Sequence, residues 1–360
     1  MERYDVLVVG GGPAGSATAY HLATGGAKVV LVDKATIPRD KPCGGGLTAR
    51  AVRQCPVDPS PVVEDEVDLL ELRFRYAGTV QRRARTPVIR MTQRSRLDAF
   101  LLDAARGQGV EVREGTTVDP LVFPADVVVA ADGANGTTAR AFGLGNGIEH
   151  GVAYEGNVPY TVVDRERYAH RAIVEFADIP GGYGWVFAKG DHVNVGVGAW
   201  QSEGPRIREH LARVCASHGL DAAQLEHLRG HRLPYRRPVT AIASDRALAV
   251  GDAAGLVDPV SGDGMYECFV SARHAAASIL AGDPAAYAAA VDADLAPLHR
   301  ASWRLKHAID RWPRVSWRLV RSQLLWRSVE RLLLGELRAP DEQHGLARLP
   351  LRALDLLGRT

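Results

Sequence analysis

The chain has 360 residues, enough for two domains or for one large domain with an inserted lobe. Hydrophobic residues make up 46% and charged residues 24%, as in ordinary globular proteins. The net charge of +2 gives no overall attraction to nucleic acid, and the absence of a long apolar run argues against a membrane-spanning helix. The four cysteines lack C-x-x-C spacing, so we expect reduced thiols, no structural metal and a cytoplasmic location.

Residues 6–33 have the pattern of a strand–helix–strand unit. Val6–Val9 is a short apolar run that predicts a buried parallel strand, and Lys28–Asp33 predicts a second one. Between them, Ala14–Ala23 is rich in small helix-forming residues. The turn that joins the first strand to this helix carries a G-x-G-x-x-G motif, with the sequence Gly10-Gly11-Gly12-Pro13-Ala14-Gly15.

Each glycine of this motif has its own use in dinucleotide binding. Gly10 allows a tight turn, Gly12 lets the backbone approach a pyrophosphate, and Gly15 lets the helix pack closely on the strand. The helix N-terminus offers free N–H groups to phosphates. Asp33, at the end of the second strand, is placed to accept hydrogen bonds from ribose hydroxyls. The unit therefore predicts a dinucleotide cofactor.

The middle of the chain alternates between strand and helix patterns. In chain order, periodicity predicts antiparallel strands in Leu69–Thr92, a helix in Arg94–Gly107, strands in Val110–Val112 and Ala125–Ala131, further sheet in Val152–Trp200, and helices in Ile207–His218 and Ala222–Leu228.

A second glycine-rich segment follows the predicted strand Ala247–Val250. It reads Gly251-Asp252-Ala253-Ala254-Gly255, continues through Asp258-Pro259 to Gly262-Asp263-Gly264-Met265, and opens a long helix ending at Leu280. A carboxylate after a strand can hold polyol hydroxyls, and a helix N-terminus can stabilise negative charge on a reduced ring. Two cofactor-contacting segments so far apart in sequence favour a long cofactor such as FAD over a detachable NAD.

The C-terminal part is mostly helical from Ala296 onward and strongly basic. Between Arg300 and Arg338 it holds nine Arg and one Lys against three acidic residues. The same stretch contains four tryptophans, namely Trp303, Trp312, Trp317 and Trp326. Two interpretations stay open: peripheral contact with a membrane surface, or burial against the body of the protein.

Four further segments complete a recognisable set: Lys41-Pro-Cys-Gly-Gly-Gly46, Arg94-Ser-Arg-Leu-Asp98, Asp132-Gly133-Ala134 and Tyr183-Gly-Trp-Val-Phe187. With the two glycine motifs, they make the chain resemble the geranylgeranyl reductase family of FAD-dependent oxidoreductases, within the para-hydroxybenzoate hydroxylase-like group. The resemblance covers roughly residues 4–295. Position 188 is Ala where the family pattern has Pro, and position 263 is Asp where Glu is common.

The resemblance implies an α/β fold with an α+β substrate lobe. We expect a discontinuous Rossmann-like FAD-binding domain (1–68, 93–150 and 247–295), an antiparallel-sheet substrate domain (69–92 and 151–246) and a helical C-terminal region (296–360).

The resemblance also implies roles for individual residues. Tyr183, Trp185 and Phe187 would line the substrate cavity, and Cys43 is the first candidate for the catalytic proton donor, followed by Tyr183 and Tyr266. The cofactor-binding residues would be Gly10, Gly12, Pro13, Ala14, Gly15, Asp33, Lys34, Cys43, Gly44, Gly45, Arg94, Asp132, Gly133, Gly251, Asp252, Pro259, Gly262, Gly264 and Met265.

The implied reaction is hydride transfer from reduced FAD to carbon–carbon double bonds of an apolar, isoprenoid-type substrate. Only one dinucleotide fold is predicted and FAD would occupy it, so the reductant would be transiently bound NAD(P)H or a ferredoxin-like carrier. Two alternatives remain at this stage. One is a flavin-dependent monooxygenase or halogenase on the same scaffold. The other is an electron-transfer flavoprotein that passes electrons to a quinone.

Overall fold

The computed structural model describes residues 2–359. Its strands are β1 Tyr4–Val9, β2 Val29–Val32, β3 Gly46–Thr48, β4 Asp65–Val67, β5 Leu69–Phe74, β6 Gly78–Arg83, β7 Ile89–Met91, β8 Glu111–Arg113, β9 Ala125–Ala130, β10 Glu149–Pro159, β11 Arg171–Phe176, β12 Tyr183–Ala188, β13 His192–Trp200, β14 Glu226–Tyr235 and β15 Ala247–Ala249. Its α-helices are α1 Pro13–Thr24, α2 Ala49–Gln54, α3 Arg94–Gly107, α4 Thr138–Ala141, α5 Ile207–Ser217, α6 Met265–Leu280, α7 Tyr287–Arg311, α8 Pro313–Val320, α9 Gln323–Leu333 and α10 Arg348–Leu357.

A five-stranded parallel sheet forms the first layer, with strand order β15-β9-β1-β2-β8. All four residues of β2 are buried, as expected for a strand covered on both faces. Helix α1 packs between α3 and α6 on one face. The predicted Rossmann-like sheet is therefore confirmed, and its carboxyl edge carries the turns after Val9 and Ala249.

A seven-stranded sheet forms the second layer, with order β14-β10-β13-β12-β11-β5-β6. Helix α5 covers one face, where Val195 and Val197 pack against Val214. Five of the six strand pairings are antiparallel, as predicted, whereas β5 and β11 run parallel.

The predicted helix over Ala222–Leu228 is wrong. Only a 3₁₀ turn forms at Ala222–Gln224, and β14 begins at Glu226. Strand β14 pairs with β10 along most of its length, and this tertiary pairing outweighs the local helix propensity of the segment.

The domain division remains a prediction, but several elements cross its limits. Strand β10 spans the 150/151 boundary, and α7 spans the 295/296 boundary because it begins at Tyr287. A small sheet of order β3-β7-β4 also joins segments assigned to different domains.

The C-terminal helices pack on the seven-stranded sheet. The Trp317 ring stacks on Phe74 with ring centroids 5.2 Å apart. Trp303 stacks on Trp200 in the same way, and Trp326 is buried beside Leu70. Three of the four tryptophans therefore pack within the protein, whereas Trp312 is 41% exposed. Within residues 2–359, every helix is too short or too polar to cross a bilayer.

Helix α7 is tied to the parallel sheet by one buried hydrogen bond. The Tyr287 hydroxyl donates to the Ala249 carbonyl oxygen at 2.7 Å, and the side chain is fully buried. Replacing Tyr287 by Phe removes the donor and leaves a buried carbonyl unsatisfied. We expect Tyr287→Phe to lower the free energy of unfolding by about 1–2 kcal/mol in urea titrations. The half-buried Tyr154 provides the control as Tyr154→Phe. Equal stability of the two variants would contradict this role.

Candidate active site

One large cavity of about 1500 Å³ extends between the parallel sheet, the seven-stranded sheet and the C-terminal helices. Typical small-molecule sites measure about 300–1,000 Å³. The cavity therefore has room for a dinucleotide cofactor and a second molecule.

The glycine motif forms one end of this cavity. Gly10 has a φ of +113°, and a Cβ there would overlap the Ala131 carbonyl. A Cβ on Gly15 would overlap the Gly10 carbonyl oxygen. A Cβ on Gly12 would instead point into the cavity, 3.5 Å from the Arg39 guanidinium. No side chain caps α1, so its N-terminal N–H groups are free to receive phosphate.

Asp33 lies beside this helix N-terminus with a buried carboxylate. It accepts hydrogen bonds from the Gly11 and Ala35 N–H groups at 2.7 and 2.8 Å. Arg39 bridges it to Asp98, with nitrogen–oxygen distances of 3.8 Å to Asp33 and 3.5 Å to Asp98. The carboxylate retains lone pairs for ribose hydroxyls.

The Arg94 guanidinium is held rigidly at the same end. It makes two hydrogen bonds to the fully buried Asp98 carboxylate, at 2.7 and 2.9 Å, one turn along α3. Such a bidentate pair orients the guanidinium toward the cavity that it lines.

Asp252 lies in the 3₁₀ turn after β15, between two basic side chains. Lys41 Nζ is 3.3 Å and His231 Nε2 is 3.5 Å from its carboxylate. Burial alone would raise the pKa of Asp252, but the charges of Lys41, His231 and Arg94 outweigh it and hold the pKa well below its usual range. Asp252 is therefore a permanent hydrogen-bond acceptor at the cavity wall.

Asp132 fixes the turn that follows β9. Its Oδ2 accepts from the Thr137 and Thr138 N–H groups, at 2.8 and 3.0 Å. Its Oδ1 is buried and has no hydrogen bond to any described residue. The open Gly12 cradle and the N-terminus of α1 fit the phosphates of FAD, and the Asp33 and Asp252 carboxylates would accept hydrogen bonds from its ribose and ribityl hydroxyls.

A clamp holds the Cys43 segment against the second sheet. The Cys43 N–H donates to Glu155 at 2.7 Å, and the Cys43 carbonyl accepts from Lys189 Nζ at 2.8 Å. The next residues are small: a Cβ on Gly44 would lie 3.1 Å from the Phe187 ring. Burial raises the pKa of Glu155, and the nearby Lys189 charge and the hydrogen bond from the Cys43 N–H oppose this shift.

Three neighbouring strands present one apolar face to the cavity. Because side chains alternate along a strand and β5, β11 and β12 are in register, every second residue forms a three-by-three array. The rows are Phe74–Phe176–Tyr183, Leu72–Val174–Trp185 and Leu70–Ala172–Phe187.

The aromatic members of this array are fixed in place. Trp185 Nε1 donates to Asn194 at 2.7 Å, and the ring covers Gly196 so closely that a Cβ there would overlap it. The Tyr183 hydroxyl donates to the Ser261 carbonyl, and burial raises the pKa of Tyr183 above its usual value. Its proton is therefore retained, which suits a wall residue better than an acid.

Most predicted site residues meet in this one cavity. Gly15 and Gly251 do not line it and act through packing instead; a Cβ on Gly251 would lie 2.9 Å from Ala14. Tyr266 also lies outside the cavity lining: its ring, on α6, packs under the Arg50 guanidinium, with Cζ 4.6 Å from the ring centroid. The predicted residues that line the cavity are Gly10, Gly12, Pro13, Ala14, Asp33, Lys34, Cys43, Gly44, Gly45, Arg94, Asp132, Gly133, Asp252, Pro259, Gly262, Gly264, Met265, Tyr183, Trp185 and Phe187.

Sequence reasoning missed several cavity residues, namely Arg39, Lys41, Glu155 and His231, and it also missed Lys189, which holds the Cys43 carbonyl. One signal was available for Glu155, which shares a strand face with Ala153 in a mostly apolar strand. A charged residue on the inward face of a strand needs a hydrogen-bond or ion-pair partner. The hydrogen-bond donor to Glu155 is the Cys43 N–H, which is more than a hundred residues away in the sequence.

The N-terminal part of the chain matches the family described as FAD dependent oxidoreductase over residues 5–56. The computed fold is similar to the crystal structure of a geranylgeranyl bacteriochlorophyll reductase-like protein from Thermoplasma acidophilum, with a TM-score of 0.80, 23% identity, and coverage of 98% of this chain and 100% of the other. A flavin-dependent brominase gives a TM-score of 0.78 at 17% identity, covering 99% and 100%. Fold and family together define an FAD-dependent oxidoreductase.

Relatives with higher sequence identity show which family of FAD-dependent oxidoreductases the chain belongs to. A digeranylgeranylglycerophospholipid reductase from Methanopyrus kandleri is 31% identical over 344 residues, which is 86% of each protein. A geranylgeranyl diphosphate reductase from Synechocystis is 30% identical over 328 residues, 81% of this chain and 78% of the relative. The chain belongs to the geranylgeranyl reductase family.

The open space at Gly12 gives a direct test of cofactor binding. In Gly12→Val the new side chain would occupy the predicted pyrophosphate position without meeting backbone, so the fold should persist. We expect the flavin-to-protein absorbance ratio of the purified variant to fall at least tenfold. Gly107→Val is the control, because a Cβ there meets no atom within 4 Å. Full flavin content in Gly12→Val would contradict the assignment.

Proposed function

We propose that this protein reduces carbon–carbon double bonds of an isoprenoid chain. The observation that carries the proposal is the apolar channel in the cavity. One wall is the nine-residue array of β5, β11 and β12. The opposite wall is built from α7, α8 and α9, through side chains that include Leu305, Ile309, Trp317, Val320, Leu325, Trp326, Val329 and Leu333.

The channel suits a long branched hydrocarbon better than a compact ring. Its walls carry aliphatic and aromatic side chains over several helical turns, and such surfaces bind chains by burial of about 25 cal/mol per Å² of apolar area. The two reductases named above, whose names refer to geranylgeranyl and digeranylgeranyl compounds, support the same substrate class.

Arginines of α7 and α10 give the cavity a basic end. Arg304 and Arg359 share Asp355, whereas Arg348 and Arg352 make no ion pair with a described residue. Arg352 and Arg359 are also exposed, so the cavity reaches the surface at α10. This arrangement favours an amphiphile that carries an anionic head group, such as a polyprenyl diphosphate.

The chain's own residues would orient the reacting double bond and manage its proton. Bound FAD would supply the hydride. Gly44 and its neighbours allow an alkene to approach closely, and the aromatic array excludes water from it. The Glu155–Lys189 clamp positions Cys43, whose thiol would deliver the proton, and the Glu155 carboxyl is the nearest alternative acid. Electrons would reach FAD from NAD(P)H or a small carrier protein.

A halogenase or monooxygenase is the second candidate, because a brominase shares the fold. We expect anaerobic turnover of the dithionite-reduced protein with geranylgeranyl diphosphate to yield a product heavier by two hydrogens per reduced bond. Mass spectrometry decides the matter. Product that requires oxygen and carries an added oxygen or halogen atom would refute the reductase proposal.

Cys43→Ser tests the proton donor. A hydroxyl is a weaker acid than a thiol, so substrate-driven flavin reoxidation should slow about tenfold, equivalent to about 1.4 kcal/mol of barrier, while FAD stays bound. Stopped-flow absorbance measures this rate. Glu155→Gln, prepared in parallel, identifies the alternative acid: a loss in that variant with none in Cys43→Ser would transfer the role to Glu155.

We also propose peripheral membrane contact through the surface around α10. Leu346, Leu349 and Leu356 are 71%, 57% and 61% exposed, and they lie among Arg348 and Arg352. Since the cavity opens at the same helix, a lipid-dissolved substrate could enter it directly from a membrane. The proposed contact surface therefore follows the Trp-rich segment in the chain. Most tryptophans of that segment pack against other residues of the protein.

Vesicle co-sedimentation tests this surface. Binding to anionic vesicles should be seen at low salt and weaken at high salt, since each Lys or Arg near such a surface contributes about 1 kcal/mol. At low salt, Leu349→Ser should bind these vesicles more weakly than the wild type. Val239→Ser, at a residue that is 94% exposed on a separate loop, should bind them as the wild type does. Failure to bind at low salt would rule the surface out.

A further inference from the structure

A compact group of titratable side chains lies beside the cavity and has no part in the site described so far. Asp258, Glu267 and His299 bring one ligand-type atom each to within 4.8 Å of the others. They come from three separate elements: the loop after β15, the first turn of α6, and α7. Asp258 and Glu267 are buried, and the His299 side chain is 16% exposed.

Glu267 is the unusual member of this group. Its side chain is completely buried, and neither carboxyl oxygen has a hydrogen bond to a described residue. The nearest polar atoms are His299 Nε2 at 3.7 Å and Arg50 Nη2 at 4.0 Å. Burial raises the pKa of Glu267 to about 7; the Asp263 charge adds to this, and His299 and Arg50 oppose it. A charged carboxylate without hydrogen bonds is costly at such a site, so the neutral acid is favoured there below neutral pH.

The surroundings argue for a proton at this position and against a metal ion. Arg50 already supplies a buried positive charge, with Nη2 3.6 Å from Asp263. Both carboxylate oxygens of Asp258 already accept hydrogen bonds: Oδ1 from the Val260 and Ser261 N–H groups, and Oδ2 from the Ser302 hydroxyl. A divalent cation would have to displace these bonds and would be repelled by the guanidinium.

The group connects the protein surface with the predicted flavin end of the cavity. Asp258, Asp263, Ser302 and Arg50 line the cavity beside the loop that leads into Met265. His299 lies behind them and is partly accessible to solvent. Gaps of this size are crossed by a proton through one bridging water or a small side-chain movement.

We propose that Glu267 and His299 form a proton relay that carries protons from solvent to the flavin end of the cavity. The inference rests on the proposed function, because each reduced double bond takes up one hydride and one proton, and an apolar channel whose opening is filled by the substrate cannot supply that proton from bulk water. His299 takes up a proton from solvent on its accessible ring edge and gives up the proton on Nε2, which is buried and faces Glu267 at 3.7 Å, to the Glu267 carboxylate. Glu267 releases it to the polar wall formed by Asp258, Asp263 and Ser302. The hydride equivalent comes from the electron donor through bound FAD.

The charged and titratable groups that face Glu267 come from four parts of the chain. Helix α2 contributes Arg50, and the loop before α6 contributes Asp258 and Asp263. Helix α7 contributes His299, and Tyr266 of α6 itself lies under Arg50. Glu267 is the member of this set placed between the partly exposed imidazole and the cavity wall. It acts through its neighbours and is therefore a relay residue, without contact with substrate.

Infrared spectroscopy of the purified, FAD-loaded protein provides the first test and needs no substrate. The wild type should show a carboxylic-acid C=O band that titrates near pH 7. Glu267→Gln should lack this band, whereas Glu226→Gln, at an exposed glutamate, should retain it. Retention of the band in Glu267→Gln would overturn the proposal. So would a stoichiometric divalent metal ion that is present in the wild type and lost in Glu267→Gln.

The pH profile of flavin reoxidation provides the second test. With dithionite-reduced protein and an isoprenoid alkene, Glu267→Gln should be at least tenfold slower than the wild type, and its rate should no longer titrate near pH 7. Glu267→Asp should recover part of the rate. His299→Gln should slow flavin reoxidation to a similar extent. Because the His299 side chain is partly exposed, this substitution should disturb the fold less than one at Glu267. Wild-type rates in both variants would overturn the relay.

Thermal unfolding tests whether Glu267 is a buried acid that titrates near neutral pH. The folded-state pKa of Glu267 lies above its unfolded value, so its contribution to stability is complete at acidic pH and is lost as pH rises through about 7. Relative to that of Glu267→Gln, the melting temperature of the wild type should therefore fall as the pH rises from about 4.5 to about 7, and it should level off above that. Parallel melting curves would contradict a buried acid that titrates here. If no isoprenoid alkene is reduced, the proposed function fails, and the relay is then judged by the same pH profile with a quinone as acceptor.

Discussion

The cofactor end of the molecule depends on backbone segments that approach one another too closely for side chains. Gly10, Gly15 and Gly251 each occupy a position where a Cβ would meet a neighbouring segment. These contacts bring the N-terminus of α1 and the turn that carries Asp252 to the same edge of the parallel sheet. A larger residue at any of the three would separate the two segments that the cofactor must bridge, so the rest of the site follows from this constraint.

The seven-stranded sheet supplies one wall of the cavity beside the cofactor site. Its α5 face is an ordinary apolar core, whereas its other face is left for the cavity and closed by the C-terminal helices. Stacking of Trp317 on Phe74 joins those helices to the same strands that carry the aromatic array. The basic C-terminal region is therefore a wall of the active site as well as a surface, which explains why it combines tryptophans with arginines.

Charge in the interior is almost everywhere paired. Arg94 is matched by Asp98, and Asp252 is flanked by Lys41 and His231, so the Arg94 guanidinium and the Asp252 carboxylate keep fixed positions and retain their charge. Glu267 differs because its carboxyl oxygens lack hydrogen bonds to the described residues. A carboxyl group that can change its charge near neutral pH, such as Glu267, suits proton transfer. Paired ions such as Arg94 and Asp252 suit the binding of a cofactor.

The sequence by itself determined the cofactor half, because glycine spacing, apolar strands and helix N-termini are local patterns whose meaning does not depend on distant residues. It also placed Tyr183, Trp185 and Phe187 on one strand face by their alternation. Only the tertiary structure decided the clamp of Glu155 and Lys189 on Cys43, the strand at Glu226–Tyr235, the orientation of Tyr266 and the use of the C-terminal helices as a cavity wall. Each of these depends on contacts between residues far apart in the chain, and no local propensity or spacing encodes such contacts.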